Sequence, residues 1–495
     1  MSFVSIQFLL FFPIVVILYF LIPDRFRWAW LLAASYFFYL CYSPLYGIFL
    51  AASTVITYLS GRLIARAGLL EDAQKSGRLK KTWAVLSLIL NLGILAVFKY
   101  INFFSQIVYG IQSLFGASGG PAVFDLILPV GISFYTFQAL TYTIDVYRGD
   151  VEPIRHFGKY ALFVSFFPQL SSGPIQKAKD FLRQFSETHR FDYERTRRGL
   201  LLMAWGYFEK IVVADRLSIL VKTVYDNPAK HFGLDVVIAT VFFAFEIYCD
   251  FAGYSNLAIG AAEIMGFRLS PNFNNPYFAK STQDFWRRWH ISLSTWFRDY
   301  LYIPLGGNRC SKFRHCLNIV IVFAVCGLWH GASFSFLFWG ALHGAYQVIG
   351  LLTRPAKKKA EAALNIRMDS VGIKLYRTAA TFLLVDFAWI FFRAATIEDA
   401  FLLIGNLFQF NPAAFTNGSL FGLGLTIPEF WAALIGIAAV FAVDLLRRRH
   451  DLRGELLSRN TAVRWVAYTA AVLVLLTFGK YGSGSDVQQF IYFQF

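Results

Sequence analysis

Long unbroken runs of apolar residues dominate the chain; Phe8 to Ile22 and Trp465 to Phe478 are two of them. A membrane barrel would instead alternate apolar and polar positions in stretches of about ten residues, so the runs predict helices. Divided at charged and turn-forming clusters, they place spans near residues 3–22, 28–43, 45–61, 83–111, 124–147, 199–221, 235–262, 316–330, 334–351, 374–408, 427–446 and 460–479. Most of them are near or above the roughly 20 residues that cross a bilayer. Tyr160 to Pro174 is apolar but flanked by Lys159 and Lys177, and predicts a re-entrant or interfacial element. The fold class is an all-α polytopic membrane protein, one domain over residues 1–495, with about 11–12 spans.

Composition sharpens this picture. Of 495 residues 57% are hydrophobic and 15% charged, far from the roughly 25% charged residues of soluble chains, which excludes a soluble enzyme. The net charge of +16 points to basic cytoplasmic loops rather than to nucleic acid. Lys and Arg crowd Gly61 to Lys81, Leu352 to Arg377 and Arg447 to Arg459, whereas Ile111 to Asp125 and Gln409 to Phe430 carry none. By the positive-inside rule the first three face the cytoplasm, the other two face outward, and both termini lie outside a plasma or inner membrane. The first basic residue, Arg25, follows the first apolar run, so that run is expected to stay as a span and not act as a cleaved signal. Five cysteines without a CxxC pair indicate neither a disulfide framework nor a thiolate zinc site. No repeat of fixed period is visible, which disfavours a carrier built from matched halves.

Two stretches carry candidate chemistry. Met265 to His315 is a cytoplasm-facing segment that combines aromatics with Arg: Trp286, Arg287, Arg288, Trp289, His290, then Trp296, Phe297, Arg298. As one helix it would pair Asp284 with Arg288 and align Arg287, His290 and Ser294, and the corner Gly306-Gly307-Asn308-Arg309 would expose backbone donors. Such a pocket suits a phosphorylated donor with an aromatic base; the plain alternative is an interfacial helix anchored by Trp and snorkelling Arg. The second stretch is Gly327-Leu328-Trp329-His330-Gly331. Counted from Leu317, His330 lies about 20 Å up a core of about 30 Å, past the midplane, where an ionisable side chain is costly and by default functional. The plain alternative there is a core histidine bonded to backbone. Gly327 and Gly331, like Gly340 and Gly344, have GxxxG spacing and predict close helix approach. Asp250, Ser255 and Asn256 interrupt an apolar span and either line a polar tunnel or bond helix to helix. Glu209, Lys210, Asp215 and Arg216 are expected to neutralise one another. Ser255 lacks the G-x-S-x-G elbow. No metal site is expected: His290, His330 and His343 could form one only at a common depth, and His290 is placed nearer the inner face than His330.

At these residues the sequence resembles a known family. Trp286-Arg287-Arg288-Trp289-His290, the run Trp296 to Asn308, and Gly327-Leu328-Trp329-His330-Gly331 resemble the membrane-bound O-acyltransferases, within them the bacterial branch that serves alginate O-acetylation. Leu128 to Gln138, Phe166 to Leu170, Asp250 to Gly260, Phe391 to Ala394 and the closing Phe490 to Phe495 extend the resemblance over nearly the whole chain. Ser171-Ser172 before Gly173-Pro174 departs from it, which bears on the substrate and not on the fold. The resemblance implies a ring of helices around a tunnel, His330 as the catalytic histidine and His290 as the second, inner-side polar position. It implies acetyl-CoA as donor substrate with no cofactor; on the reading of the residues themselves, the donor is expected to bind near Arg287, Arg288, Trp289, Arg298, Asn308, Arg309 and Trp329. His330 would act as general base or accept the acetyl transiently. An extracytoplasmic serine-dependent partner would complete transfer to an exopolysaccharide.

Two other functions compete: D-alanyl transfer toward teichoic acid from a carrier-protein thioester, and, from a different class, a polytopic transporter. The cations around Arg287, Arg298 and Arg309 favour a CoA donor. The end of the chain, residues 481–495, follows a Gly-Ser link and turns aromatic at Phe490, Tyr492, Phe493 and Phe495. Four large aromatics do not stay in water, so they either dock the outer partner or pack back on this chain.

Overall fold

The computed structural model describes residues 1–495 except 117, 366, 410, 412–415, 417, 482–489 and 492–495. Among the described residues there are helices and no strands, in two compact units: residues 1–203 with 255–270, and residues 204–254 with 271–495.

The first unit is built from α1 (Ile6–Leu21), α2 (Asp24–Leu40), α3 (Pro44–Ala67), α4 (Ala73–Leu114), α5 (Ile132–Arg148), α6 (Phe157–Ser165), α7 (Phe167–Leu170), α8 (Ala178–Phe181) and most of α9 (Tyr193–Tyr207). Their starts follow local chemistry: Ser5 accepts from Phe8 N–H, and Asp72 accepts from the N–H groups of Gln74 and Lys75. Short hydroxyl and amide bonds tie neighbours together, Ser53 Oγ to Asn91 Oδ1 at 2.6 Å and Tyr160 Oη to Thr57 Oγ1 at 2.6 Å. The span expected at 124–147 is helical only from Ile132, because Gly131 turns left-handed and its Cα passes so close that a Cβ would sit 2.6 Å from Leu170 O. Tyr160 to Pro174 is a buried, broken element, interrupted at Phe166 and irregular after Leu170.

The second unit holds α10 (Asp215–Tyr225), the first part of α11 (Leu234–Met265), α12 (Thr282–Trp286), α13 (Ile291–Phe297), α14 (Lys312–His330), α15 (Phe334–Ala363), α16 (Val371–Arg393), α17 (Ile397–Leu407), α18 (Ile427–Arg447), α19 (Leu452–Leu457) and α20 (Thr461–Phe478). Several expectations change here. The span 199–221 is interrupted by a wide turn at Phe208–Ala214, around the charges Glu209 and Lys210. The span 374–408 splits at Ala394, since Thr396 caps a new helix through Asp399 N–H. The basic stretch 352–377 is helical as far as Ala363, so α15 carries its charges on a rigid extension.

Eight described helices are long and apolar enough to cross a membrane: α3, α4, α11, α14, α15, α16, α18 and α20. Ile6–Leu21 is apolar but shorter. Exposed aliphatics such as Leu10, Ile14 and Ile17 on α1, or Leu473 and Leu476 on α20, suit a lipid-facing surface.

Candidate active site

The site lies within the second unit and begins with the α14–α15 hairpin. Here α14 and α15 touch backbone to backbone: a Cβ on Gly327 would fall 2.2 Å from Phe336 O, and one on Gly340 2.2 Å from Phe323 O. Only glycine permits that approach, so the GxxxG expectation holds at Gly327 and Gly340. His330 is the last residue of α14, 3% exposed. Its imidazole sits among Trp329, Trp339 and Phe392, with ring centroids 4.9, 5.1 and 5.3 Å away.

His290 is brought beside it. The two imidazole centroids are 6.4 Å apart, so the separation in depth expected from the sequence is not observed. The reason is that residues 282–302 are not one helix on the surface. Two short helices, α12 and α13, are broken at His290, which is fully buried and left-handed at φ 42° and ψ 56°. Backbone pairs fix the break on both sides, Asn274 N–H to Arg288 O and Ile291 N–H to Asn272 O, each 2.9 Å. Arg287, His290 and Ser294 therefore do not share a stripe. Burial pushes the His290 imidazole down to about 3, so it is neutral at physiological pH. Phe251 meets its face edge-on at 4.6 Å.

A cavity of about 670 Å³ opens beside α14. Its lining is rich in cations, Arg287, Arg298, Arg354, Lys357, Lys358 and Arg377, against one acid, Glu361. Along α14 the lining reaches Phe323 and Cys326, the latter one helical turn or about 6 Å before His330. Trp286 lines the wall, its indole N–H donating to His343 Nδ1 at 3.3 Å.

The remaining expected residues divide. Arg287 and Arg298 line the cavity, while Arg288 bonds Asp284 at 2.8 Å and lies outside the lining. Trp289 is buried among Tyr248, Phe273, Phe285 and Trp389. Asn308 and Arg309 are exposed on a corner tied to α14 by Asn318, whose amide donates to Leu305 O and Gly307 O. Asp250 belongs to a buried ion cluster: Lys210 Nζ is 2.5 Å from its carboxylate and 2.9 Å from that of Asp215. Lys210 is thus neutralised from two helices, not by its sequence neighbours alone. Ser255 and Asn256 fall in the first unit. Phe490 is fully buried against Phe251 and Tyr254, so packing on its own chain describes this residue; Tyr492, Phe493 and Phe495 lie outside the described residues.

Sequence reasoning missed Arg354, Lys357, Lys358 and Arg377, which it took for loop charge. The i, i+3, i+4 spacing of the first three on a helix was the available signal. Among the described residues no group of three or more His, Cys, Asp or Glu could hold a metal ion.

Fold and site define a multi-pass membrane enzyme with a buried histidine pair. Residues 153–368, which include both histidines, match the model of the membrane-bound O-acyltransferase family. The chain is 35% identical over 500 residues to the probable alginate O-acetylase AlgI of Pseudomonas putida, covering 98% of each chain. It is 38% identical over 405 residues to the corresponding protein of Pseudomonas aeruginosa, over 81% of this chain and 73% of that one. The peptidoglycan O-acetyltransferase of Helicobacter pylori is 30% identical over 94% of this chain and 91% of its own. The chain belongs to the membrane-bound O-acyltransferase family and is an O-acyltransferase.

Proposed function

We propose that this protein transfers acetyl groups from cytoplasmic acetyl-CoA to a hydroxyl outside the plasma or inner membrane, toward O-acetylation of an alginate-like polysaccharide. The observation that carries the reading is the cavity, lined by six cations and reaching along α14 to Cys326, one turn short of His330. Diphosphate and 3′-phosphate of CoA bind Arg287, Arg298 and the cations of α15 and α16, and the pantetheine arm follows the apolar residues of α14 toward His330. Six cations around one acid exceed what the single phosphate of a carrier-bound pantetheine needs, which favours CoA over a carrier protein. The basic rim also belongs on the cytoplasmic side.

In the reaction His330 is the general base. Its imidazole takes the proton of the acceptor hydroxyl, whose oxygen attacks the thioester carbonyl carbon. The C–S bond breaks, and CoA leaves as thiolate and is protonated by the imidazolium. Neutral His290, 6.4 Å away between ring centroids, helps to place the acyl group. The immediate acceptor is a serine-dependent partner on the outer side, which passes acetyl to the polymer; the names of the relatives, acetylases of alginate and of peptidoglycan, support the polysaccharide. Membrane vesicles given acetyl-labelled acetyl-CoA test this. Label should reach the external acceptor with the native chain and not with His330→Ala at equal membrane content. Normal transfer by that variant would refute the assignment, and label trapped on His330 itself would replace the base with an acyl carrier.

A further inference from the structure

We infer that Phe490 and Ile491, at the end of the chain, are positioning residues for His290. This deepens the proposed function and rests on it, since it presumes that His290 places the acyl group.

His290 is a non-glycine residue in left-handed backbone, a conformation that costs about 1 kcal/mol or more and persists only where surroundings impose it. The backbone pairs to Asn272 and Asn274 hold the peptide on either side, but they do not set the direction of the ring. Ring contacts act on that direction, and Trp329, at 5.9 Å between centroids, is one of them. Phe251 on α11 meets the imidazole at 4.6 Å and 85°. Phe251 is fixed in turn by Phe273, at 5.0 Å and 83°, and by Phe490, at 5.6 Å. Phe490 also packs on Tyr254 at 4.6 Å, one turn along α11, and is fully buried. The segment is pinned by a charge-assisted bond: Ile491 N–H donates to Asp250 Oδ2 at 2.8 Å, while Lys210 holds Oδ1 of the same carboxylate.

The chain of contact therefore runs from the last residues through Phe251 to His290 and then to His330. Removing the Phe490 ring leaves a cavity behind Phe251, into which that ring and then the imidazole can relax. A displacement of about 1 Å at the reacting centre can cost as much as 100-fold in rate.

The test uses the full-length protein in its membrane, with acetyl transfer to acceptor measured per molecule of enzyme. Phe490→Ala should lower kcat between about 10- and 100-fold, with KM for acetyl-CoA changed by less than about twofold. Phe490→Leu, which refills the space, should recover most of the rate. Because both changes act on one group, Phe490→Ala added to His290→Gln should slow the enzyme no further than His290→Gln alone. Full multiplication of the two effects would overturn the inference, as would a Phe490→Ala protein that is merely scarce but turns over normally. A wild-type rate for His290→Gln would instead remove His290 from the reaction, a failure of the proposed function visible in that variant alone.

Discussion

Gly340→Ala is the smallest change that should disable the enzyme without touching a polar group. The added Cβ would lie 2.2 Å from Phe323 O and 3.1 Å from Gly327 Cα. Real Cβ contacts do not fall below 3.0 Å, so α14 and α15 must part by about 0.8 Å, and the obstacle is backbone that cannot swing aside. Overpacking of this kind costs about 1–3 kcal/mol, which an apolar bundle can survive. The catalytic cost is larger, because His330 ends α14 while Trp339, which packs on its ring at 5.1 Å, is carried by α15. A shift approaching 1 Å between them predicts a fall in kcat between about 10- and 100-fold. The assay is transfer from labelled acetyl-CoA in membrane vesicles, normalised to enzyme content by quantitative blot. Gly93→Ala on α4 is the control: nothing lies within 4 Å of its Cβ, and it should be neutral or add helix stability of up to about 1 kcal/mol. A Gly340→Ala enzyme with native kcat would show that the hairpin spacing does not set the geometry around His330.

Reversing charge at the rim, in Arg354→Glu or Lys357→Glu, should raise KM for acetyl-CoA about 3- to 10-fold and leave kcat nearly unchanged, as initial rates over a donor series would show. Sidedness is tested by single cysteines after replacement of the five native ones: Ser118→Cys should react with an impermeant external thiol reagent, while Lys358→Cys and Arg453→Cys should not. Losing the indole acceptor in His343→Leu should loosen Trp286 and lower the rate, whereas His343→Gln, which can still accept from Trp286, should restore much of it, as parallel rate measurements would show.

What the sequence made legible follows from what was continuous in it. Uninterrupted apolar runs gave α3, α4, α11, α14, α18 and α20 nearly in register, with His330 at the end of one of them. Helix breaks were harder, because they come from partners distant in sequence. Gly131 turns left-handed where Leu170 O leaves no room for a Cβ, and the wide turn at Phe208–Ala214 surrounds a lysine held by Asp250. His290 was misplaced for the same reason. Its segment is charged enough to look like a cytoplasmic loop, yet Asn272, Asn274 and Phe251 draw it inward beside His330. The rim cations on α15 were visible as charge but not as a face, since a basic stretch reads as a loop until its helix is known to continue.

The cavity follows α14 from His315 to Cys326, eleven residues or about 16 Å, and His330 lies about 6 Å further on. That length makes the hairpin a ruler. A donor anchored by phosphate at the far end must carry its acyl carbon across about 22 Å, a reach that suits a long pantetheine arm and that acetyl phosphate, with one oxygen between acyl and phosphorus, lacks entirely. The enzyme would then select its donor by span before any contact with the acetyl group itself, and inserting one helical turn into both α14 and α15 would change which thioesters can serve.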